Sequence, residues 1–126
     1  MNFKTAATAL LALILIFLWP SCRQRSIDQA LDSDANGYYC AACDTRFYTA
    51  REVFANYCPK CKQLNIQQVL GHVCAADQHV TLAPRGRTAI ACEQCGKATV
   101  SLAIPRAKDL EGWGAVKKSA AEVGVN

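Results

Sequence analysis

The chain lacks the patterns that most catalytic and nucleic-acid-binding sites require. It has no glycine-rich phosphate loop and no serine with a plausible general base beside it. No Cys-x-x-Cys pair is followed by histidine, because Asp44, Lys62 and Gly96 occupy those positions, so covalent c-type haem is excluded. Basic and aromatic residues form no ladder, and the net charge is a mild +4. This balance does not favour a nucleic-acid partner.

Large apolar residues are also scarce once the N-terminus is set aside. The apolar fraction of 52% is inflated by one N-terminal run and by eight cysteines. About 105 residues follow that run, enough for one ordinary domain or two very small ones. A core this lean usually needs metal ions or disulfides to stabilise it.

Residues 1–21 have the features of an export signal. Lys4 precedes a charge-free run from Thr5 to Trp19, which is short for a membrane span but normal for a signal peptide. Ser21 and Cys22 then resemble the end of a bacterial lipoprotein signal, although Trp19 and Pro20 depart from its pattern. The resemblance implies cleavage and lipidation at Cys22, with an uncleaved anchor as the alternative. Either would tether the chain to a membrane of the bacterial cell envelope, facing out of the cytoplasm.

Residues 22–37 are expected to form a linker. Ser26 and Gln29 have capping-box spacing, which favours a short helix over about residues 27–32. Residues 33–37 are rich in turn formers and are expected to end that helix. The linker would hold the remainder of the chain away from the bilayer.

Residues 38–65 contain two Cys-x-x-Cys pairs separated by 14 residues: Cys40, Cys43, Cys58 and Cys61. Two facing turns of this kind can aim four thiolates at one ion. The stretch resembles a zinc ribbon, and it also resembles the rubredoxin-type iron site. In rubredoxin-like turns glycine usually follows each pair, whereas Asp44 and Lys62 stand here. Zinc is therefore preferred, with iron or two disulfides as alternatives.

Residues 66–104 are predicted to form a second module of the same kind. Strands are expected over Ile66 to Cys74, His79 to Pro84, Arg87 to Ala91 and Ala98 to Ile104. The ligands would be Cys74, Cys92, Cys95 and one histidine. His79 is the preferred fourth ligand because it lies across a turn from Cys74. His72 on the same strand is the alternative, and a third possibility is that neither histidine ligates.

The number of cysteines agrees with this division. Lipidation of Cys22 leaves seven cysteines, an odd number that cannot all form disulfides. Seven cysteines and one histidine would complete two four-ligand sites. We therefore expect a small, mostly-β, metal-stabilised fold made of two consecutive zinc-ribbon-like modules.

Residues 105–126 are expected to be a polar C-terminal tail. Ala115 to Val123 could form a weak helix, and Trp113 stands between two glycines. This tryptophan would either anchor a partner protein or pack back on the second module.

Both predicted sites are filled, which indicates a non-catalytic protein. We expect a membrane-tethered zinc lipoprotein that serves as a structural or protein-interaction module, such as an accessory subunit of an envelope complex. No small-molecule substrate is evident. The alternatives are an iron electron carrier, a thiol redox protein and a metal-handling protein.

Overall fold

A long strand in the middle of the sequence, Ile66–Cys74, connects the two halves of the molecule. The computed structural model describes residues 33–126, so the predictions for residues 1–21, for Cys22 and for a helix at 27–32 lie outside the described residues. The strands and helices, in chain order, are β1 Ala35–Cys40, β2 Thr45–Ala50, β3 Ile66–Cys74, β4 Val80–Pro84, β5 Thr99–Ala103, α1 Ala107–Gly112, β6 Val116–Lys117 and a 3-10 helix Ala121–Val123. The predicted mostly-β fold of two consecutive cysteine-rich modules is confirmed.

The β3 strand belongs to both modules. Ile66 to Gln68 pair antiparallel with the end of β1, whereas Gly71 to Cys74 pair with β5. The strand also pairs with β4 over Val69 to Val73. The strand order is therefore β4-β3-β1-β2-β6, with β5 joined to β3 outside this path. The two modules share one sheet rather than being joined by a flexible linker.

The main core lies where the helix α1 packs on this sheet. Leu110, at 0% exposure, is buried with Ala35, Tyr48, Val69, Leu82 and Ala115. Gly37 lies directly beneath Leu110, and a Cβ atom at position 37 would overlap the leucine side chain. A second cluster joins Tyr38, Phe47 and Val123, with the two rings stacked at a centroid distance of 5.2 Å.

The residues after Ile104 are folded rather than forming a polar tail. The α-helix covers Ala107–Gly112, whereas the stretch from Ala115 to Val123, expected to be a weak helix, contains the short strand β6 and the 3-10 helix Ala121–Val123. Its first amide, from Ala107, donates to the carboxylate of Asp34 at 2.8 Å, and Arg106 N–H donates to Asp109 at 3.0 Å. These carboxylates satisfy amides that the first helical turn leaves unpaired. Leu110 and Val123 then supply the apolar contacts.

Two other boundaries also differ from the sequence prediction. Ala35 to Gly37 belong to β1, not to a linker, because they pair with Tyr48 to Ala50. The strand predicted over Arg87 to Ala91 is reduced to one bridge between Ala91 and Ala98. Among residues 33–126, no helix has the length and apolarity needed to cross a membrane.

Candidate metal centres

Four backbone turns present the candidate ligands. We call them knuckles 1 to 4, spanning residues 40–45, 58–63, 74–79 and 92–97. The fifth residue of each has a positive φ: 54° at Asp44, 60° at Lys62, 60° at Gln78 and 71° at Gly96. In knuckles 2, 3 and 4 the amide of this residue donates to the carbonyl of the first cysteine at 2.9–3.0 Å. All four turns therefore share one left-handed step, although only knuckle 4 has glycine there.

Knuckles 1 and 2 bring Cys40, Cys43, Cys58 and Cys61 together as site 1. Their sulfur atoms all lie within 4.8 Å of one another. The Cys40–Cys61 and Cys43–Cys58 sulfur distances are both 3.6 Å. A tetrahedral zinc ion about 2.3 Å from each sulfur requires a separation of about 3.8 Å. A disulfide requires about 2.05 Å, and these cysteines are free thiols. The set therefore fits a metal ion and not the disulfide alternative.

The thiols of site 1 differ in acidity. The Thr45 hydroxyl lies 3.0 Å from the Cys43 sulfur, and its hydrogen bond lowers the pKa of Cys43 to about 6. The Gln63 backbone acts to lower the pKa of Cys61, but burial and the neighbouring sulfurs raise it to about 12. Crowded thiolates repel one another, so a divalent cation is the group that would let all four ionise.

Knuckles 3 and 4 form site 2 from Cys74, Asp77, Cys92 and Cys95, whose ligand atoms also lie within 4.8 Å of one another. The Cys74 and Cys95 sulfurs are 3.5 Å apart. The Cys92 sulfur lies 3.8 and 3.7 Å from the two oxygens of Asp77. Each ligand follows its counterpart in site 1 by 34 residues. The contacting pairs correspond as well, because Cys74–Cys95 repeats Cys40–Cys61 and Asp77–Cys92 repeats Cys43–Cys58.

The prediction of His79 as the fourth ligand is corrected by this arrangement. His79 takes part through its backbone: its N–H donates to Asp77 Oδ1 at 3.0 Å, and its carbonyl accepts from the Cys74 N–H at 2.9 Å. It is the sixth residue of the knuckle, one step beyond the left-handed residue, while the carboxylate of Asp77 joins the ligand group. The sequence did contain the signal, since Cys74-Ala-Ala-Asp77 repeats the spacing of Cys40-Ala-Ala-Cys43.

His72 is not in the ligand group either. Its side chain is buried, and within residues 33–126 its Nε2 has no hydrogen-bond partner. It lines a small cavity with Thr99 and Ser101 of β5. The four ligand atoms that converge on site 2 therefore come from Asp77 and three cysteines, and from neither histidine.

The Asp77 carboxylate is well prepared to stay ionised. The backbone N–H of His79 lowers the pKa of Asp77 to about 2, and nearby thiols contribute in the same direction. In the same site, burial acts to raise the pKa of Cys92, but the backbone N–H groups of Cys95 and Gln94 lower it. The Lys97 backbone N–H acts to lower the pKa of Cys95, but burial and the neighbouring Cys74 and Asp77 raise it to about 12. Three sulfurs and one carboxylate oxygen form a four-donor set that zinc accepts.

The two sites differ in their exposure to solvent. In site 1, Cys40 and Cys58 are buried and the other two cysteines are half-buried. In site 2, Cys74 and Cys92 are buried, but Asp77 and Cys95 are exposed. Solvent and solutes therefore have access to two of the four ligands in site 2.

Trp113 packs back on the molecule, which was one of the two alternatives expected for it from the sequence. The Arg46 guanidinium lies 4.4 Å from the centre of its ring and donates to the Trp113 carbonyl at 2.8 Å. The tryptophan contacts the main core and lines a groove of about 520 Å³ between the modules, beside His79 and Glu93. Because Arg46 lies on β2, Trp113 packs on the first module as well as beside the second.

Comparison of the chain with protein-family models, curated proteins and solved structures gave no match. The ligand geometry and the internal repeat are thus the observations from which its function is inferred.

Proposed function

We propose that this protein is a non-catalytic zinc protein, tethered to a membrane at Cys22, whose paired zinc ribbons bind another protein of the cell envelope. The observation that carries the proposal is the convergence of two complete four-donor sets on one shared sheet. Structural zinc contributes about 10–16 kcal/mol of apparent binding free energy in small peptides. Two such ions would compensate for the few large side chains of the core.

Zinc is favoured because one metal can serve both donor sets. Zinc takes thiolate and carboxylate ligands in tetrahedral sites, which suits both Cys61 in site 1 and Asp77 in site 2. Iron of the rubredoxin type would use four thiolates, a set that only site 1 supplies within residues 33–126. Zinc is also redox-inactive, which is consistent with a structural role.

A non-catalytic role is supported by the coordination number. A catalytic zinc usually has three protein ligands and a water in the fourth position. The donor sets of site 1 and site 2 each supply four protein ligands. Neither set, when its four ligands bind the ion, leaves a position for a substrate.

A protein partner is supported by the apolar surface of β5 and the residue after it. Val100, Leu102 and Ile104 are 69%, 62% and 43% exposed, and their spacing of two places them on one face of an extended chain. Among the described strands, β5 pairs with β3 alone. At the start of its other edge the Thr99 N–H donates to the Ile90 carbonyl at 3.2 Å, so the part of that edge from Val100 onward is the part that can accept a strand from a partner. We call these three residues the β5 ridge.

Metal analysis of the full chain, purified in detergent, tests the zinc proposal. The expected result is two zinc ions per chain and no absorbance in the visible range. One red iron per chain would instead indicate an electron carrier and would overturn the proposal.

Site-specific photocrosslinking in intact cells tests the partner proposal. A crosslinker at Leu102 should form an adduct with an envelope protein, identified by mass spectrometry. The matched control is Leu64, which is apolar and 77% exposed but lies outside the β5 ridge. Equal adducts from both positions, or none from Leu102, would contradict binding at the ridge.

A further inference from the structure

We infer that site 2 is an exchangeable zinc site, which loads and releases its ion while site 1 keeps its own. The inference rests on the proposed function, since both sites must hold zinc. Three features of the molecule support it: the donor set, the exposure of the ligands and the packing of the segments that carry them.

The donor set of site 2 is the weaker one. Thiolate is the softer ligand and binds zinc more strongly than a carboxylate does in a sulfur-rich site. Site 1 has four thiolates, whereas Asp77 replaces one of them in site 2. The geometry around the two sites is otherwise repeated, with Cys74 and Cys95 at 3.5 Å and Cys40 and Cys61 at 3.6 Å. The difference in affinity should therefore come mainly from Asp77.

Exposure gives an incoming ligand direct access to site 2. Asp77 and Cys95 are both exposed in site 2. In site 1, the four ligands that the structure describes are buried or half-buried. In a ligand exchange, the carboxylate of Asp77 would leave the ion and a donor atom from an acceptor would take its place. Zinc stays divalent throughout, so the step needs no oxidant or reductant.

The segment that carries knuckle 4 is held by few contacts. In the described stretch 85–100, Cys92 alone is buried. Two hydrogen bonds tie the segment to β3 and β4: the Arg85 N–H donates to the Gln68 carbonyl at 2.7 Å, and the Glu93 N–H donates to Thr81 Oγ1 at 3.1 Å. Its own ends are joined by the Ala91–Ala98 bridge and by the N–H and Oγ1 of Thr99, which donate to the Ile90 carbonyl at 3.2 and 2.8 Å. Segments with little buried apolar surface open at low free-energy cost. Local opening can therefore release the metal of site 2 without global unfolding.

Knuckle 2 of site 1, by contrast, is covered by the C-terminal residues. The Asn56 N–H donates to the Val123 carbonyl at 2.9 Å, and Lys62 Nζ donates to the Glu122 carbonyl at 3.5 Å. Val123 is fully buried against Tyr38 and Phe47. Releasing Cys58 and Cys61 would require breaking these contacts and opening a core cluster. The packing thus retains metal at site 1 and exposes it at site 2.

Zinc release from the full chain, in the two-zinc form, to a colorimetric chelator tests the inference. We expect two phases of one zinc each, with rates at least tenfold apart. The variant Cys92→Ser should lose the fast phase, and Asp77→Cys, which restores a four-thiolate set, should slow it at least tenfold. The matched control Glu52→Gln, at an exposed carboxylate outside all four knuckles, should leave both phases unchanged.

Hydrogen exchange measured after the fast phase gives a second readout. Amides of residues 86–98 should lose protection, while those of β1 and β2 should keep it. Two results would overturn the inference: release of both ions in one phase with global unfolding, or retention of the fast phase in Cys92→Ser. Either result would leave the zinc proposal intact. A purified chain without zinc would instead overturn the proposed function itself.

Discussion

Asp77 occupies in knuckle 3 the position that Cys43 occupies in knuckle 1. Each is the third residue after a fully buried cysteine and precedes a residue with positive φ. Each also faces the first cysteine of the opposite knuckle, Cys92 for Asp77 and Cys58 for Cys43. The second module therefore repeats the first with one thiolate replaced by a carboxylate.

This equivalence predicts opposite results for two neighbouring substitutions. Asp77→Ala removes a ligand and should weaken the second zinc by more than the roughly 10–100-fold typical of losing an outer-shell partner. His79→Ala should leave its affinity close to that of the wild type, because His79 contributes backbone groups that alanine also provides. Zinc affinity measured by competition with a chelator of known strength checks both variants.

The pair has a result that would contradict the assignment. If His79→Ala lost the second zinc and Asp77→Ala kept it, the imidazole and not the carboxylate would be the ligand. The zinc at site 1 serves as an internal control, since neither substitution touches Cys40 to Cys61.

The helix contact with the sheet predicts a large effect of Leu110→Ala on stability. Leu110 is fully buried in the main core, and truncating such a leucine usually costs about 2–5 kcal/mol. Leu64→Ala, at an exposed leucine, should change the free energy of unfolding by less than about 0.5 kcal/mol. Denaturant unfolding of the zinc-loaded chain measures both. A Leu110→Ala effect as small as that of Leu64→Ala would show that the helix does not pack on the sheet.

The titration of Tyr48 provides a second test of the contact between the helix α1 and the sheet. The Tyr48 hydroxyl donates to Glu111 of the helix, and this hydrogen bond raises the pKa of Tyr48 above its usual value of 10.0. A raised pKa means that folding favours the neutral phenol. This stabilisation is present below about pH 10 and is lost as the pH rises through the folded-state pKa.

The measurement is an ultraviolet titration of the tyrosines. Glu111→Gln should shift the Tyr48 titration back towards pH 10, whereas Glu122→Gln, at a glutamate bonded to Lys118 and Ser119 instead, should not. A Tyr48 titration that does not respond to Glu111→Gln would contradict the contact.

Membrane attachment predicts a simple result at Cys22, which lies outside the described residues. Cys22→Ser should abolish incorporation of a labelled fatty acid and move the chain from the membrane fraction to the soluble fraction if the signal is still cleaved. A wild-type chain that is membrane-bound but incorporates no labelled fatty acid would favour the uncleaved anchor.

Site 1 could be predicted in full because ligand type and spacing both pointed to it. Site 2 could be predicted only in part: the cysteine spacing indicates Cys74, Cys92 and Cys95, but the general preference of zinc for histidine points to His79 instead of Asp77. The backbone turn decides which side chain faces the metal, and His79 lies beyond that turn. A comparison of the two Cys-Ala-Ala segments would have identified the aspartate.

The strands near the knuckles were also predictable, with β3 matching Ile66–Cys74. The C-terminal residues were not, because their structure depends on contacts distant in sequence. Asp34 accepts a hydrogen bond from Ala107, and Val123 packs on Tyr38. A polar stretch with isolated apolar residues gives little local indication that those few residues will be buried.

Native mass spectrometry of the full chain and of one variant in each site tests the central claim most directly. The account predicts two zinc ions on the wild-type chain and one on each of Cys58→Ser and Cys92→Ser. A wild-type chain without metal, whose mass is reduced by the hydrogens lost in disulfide formation, would contradict it.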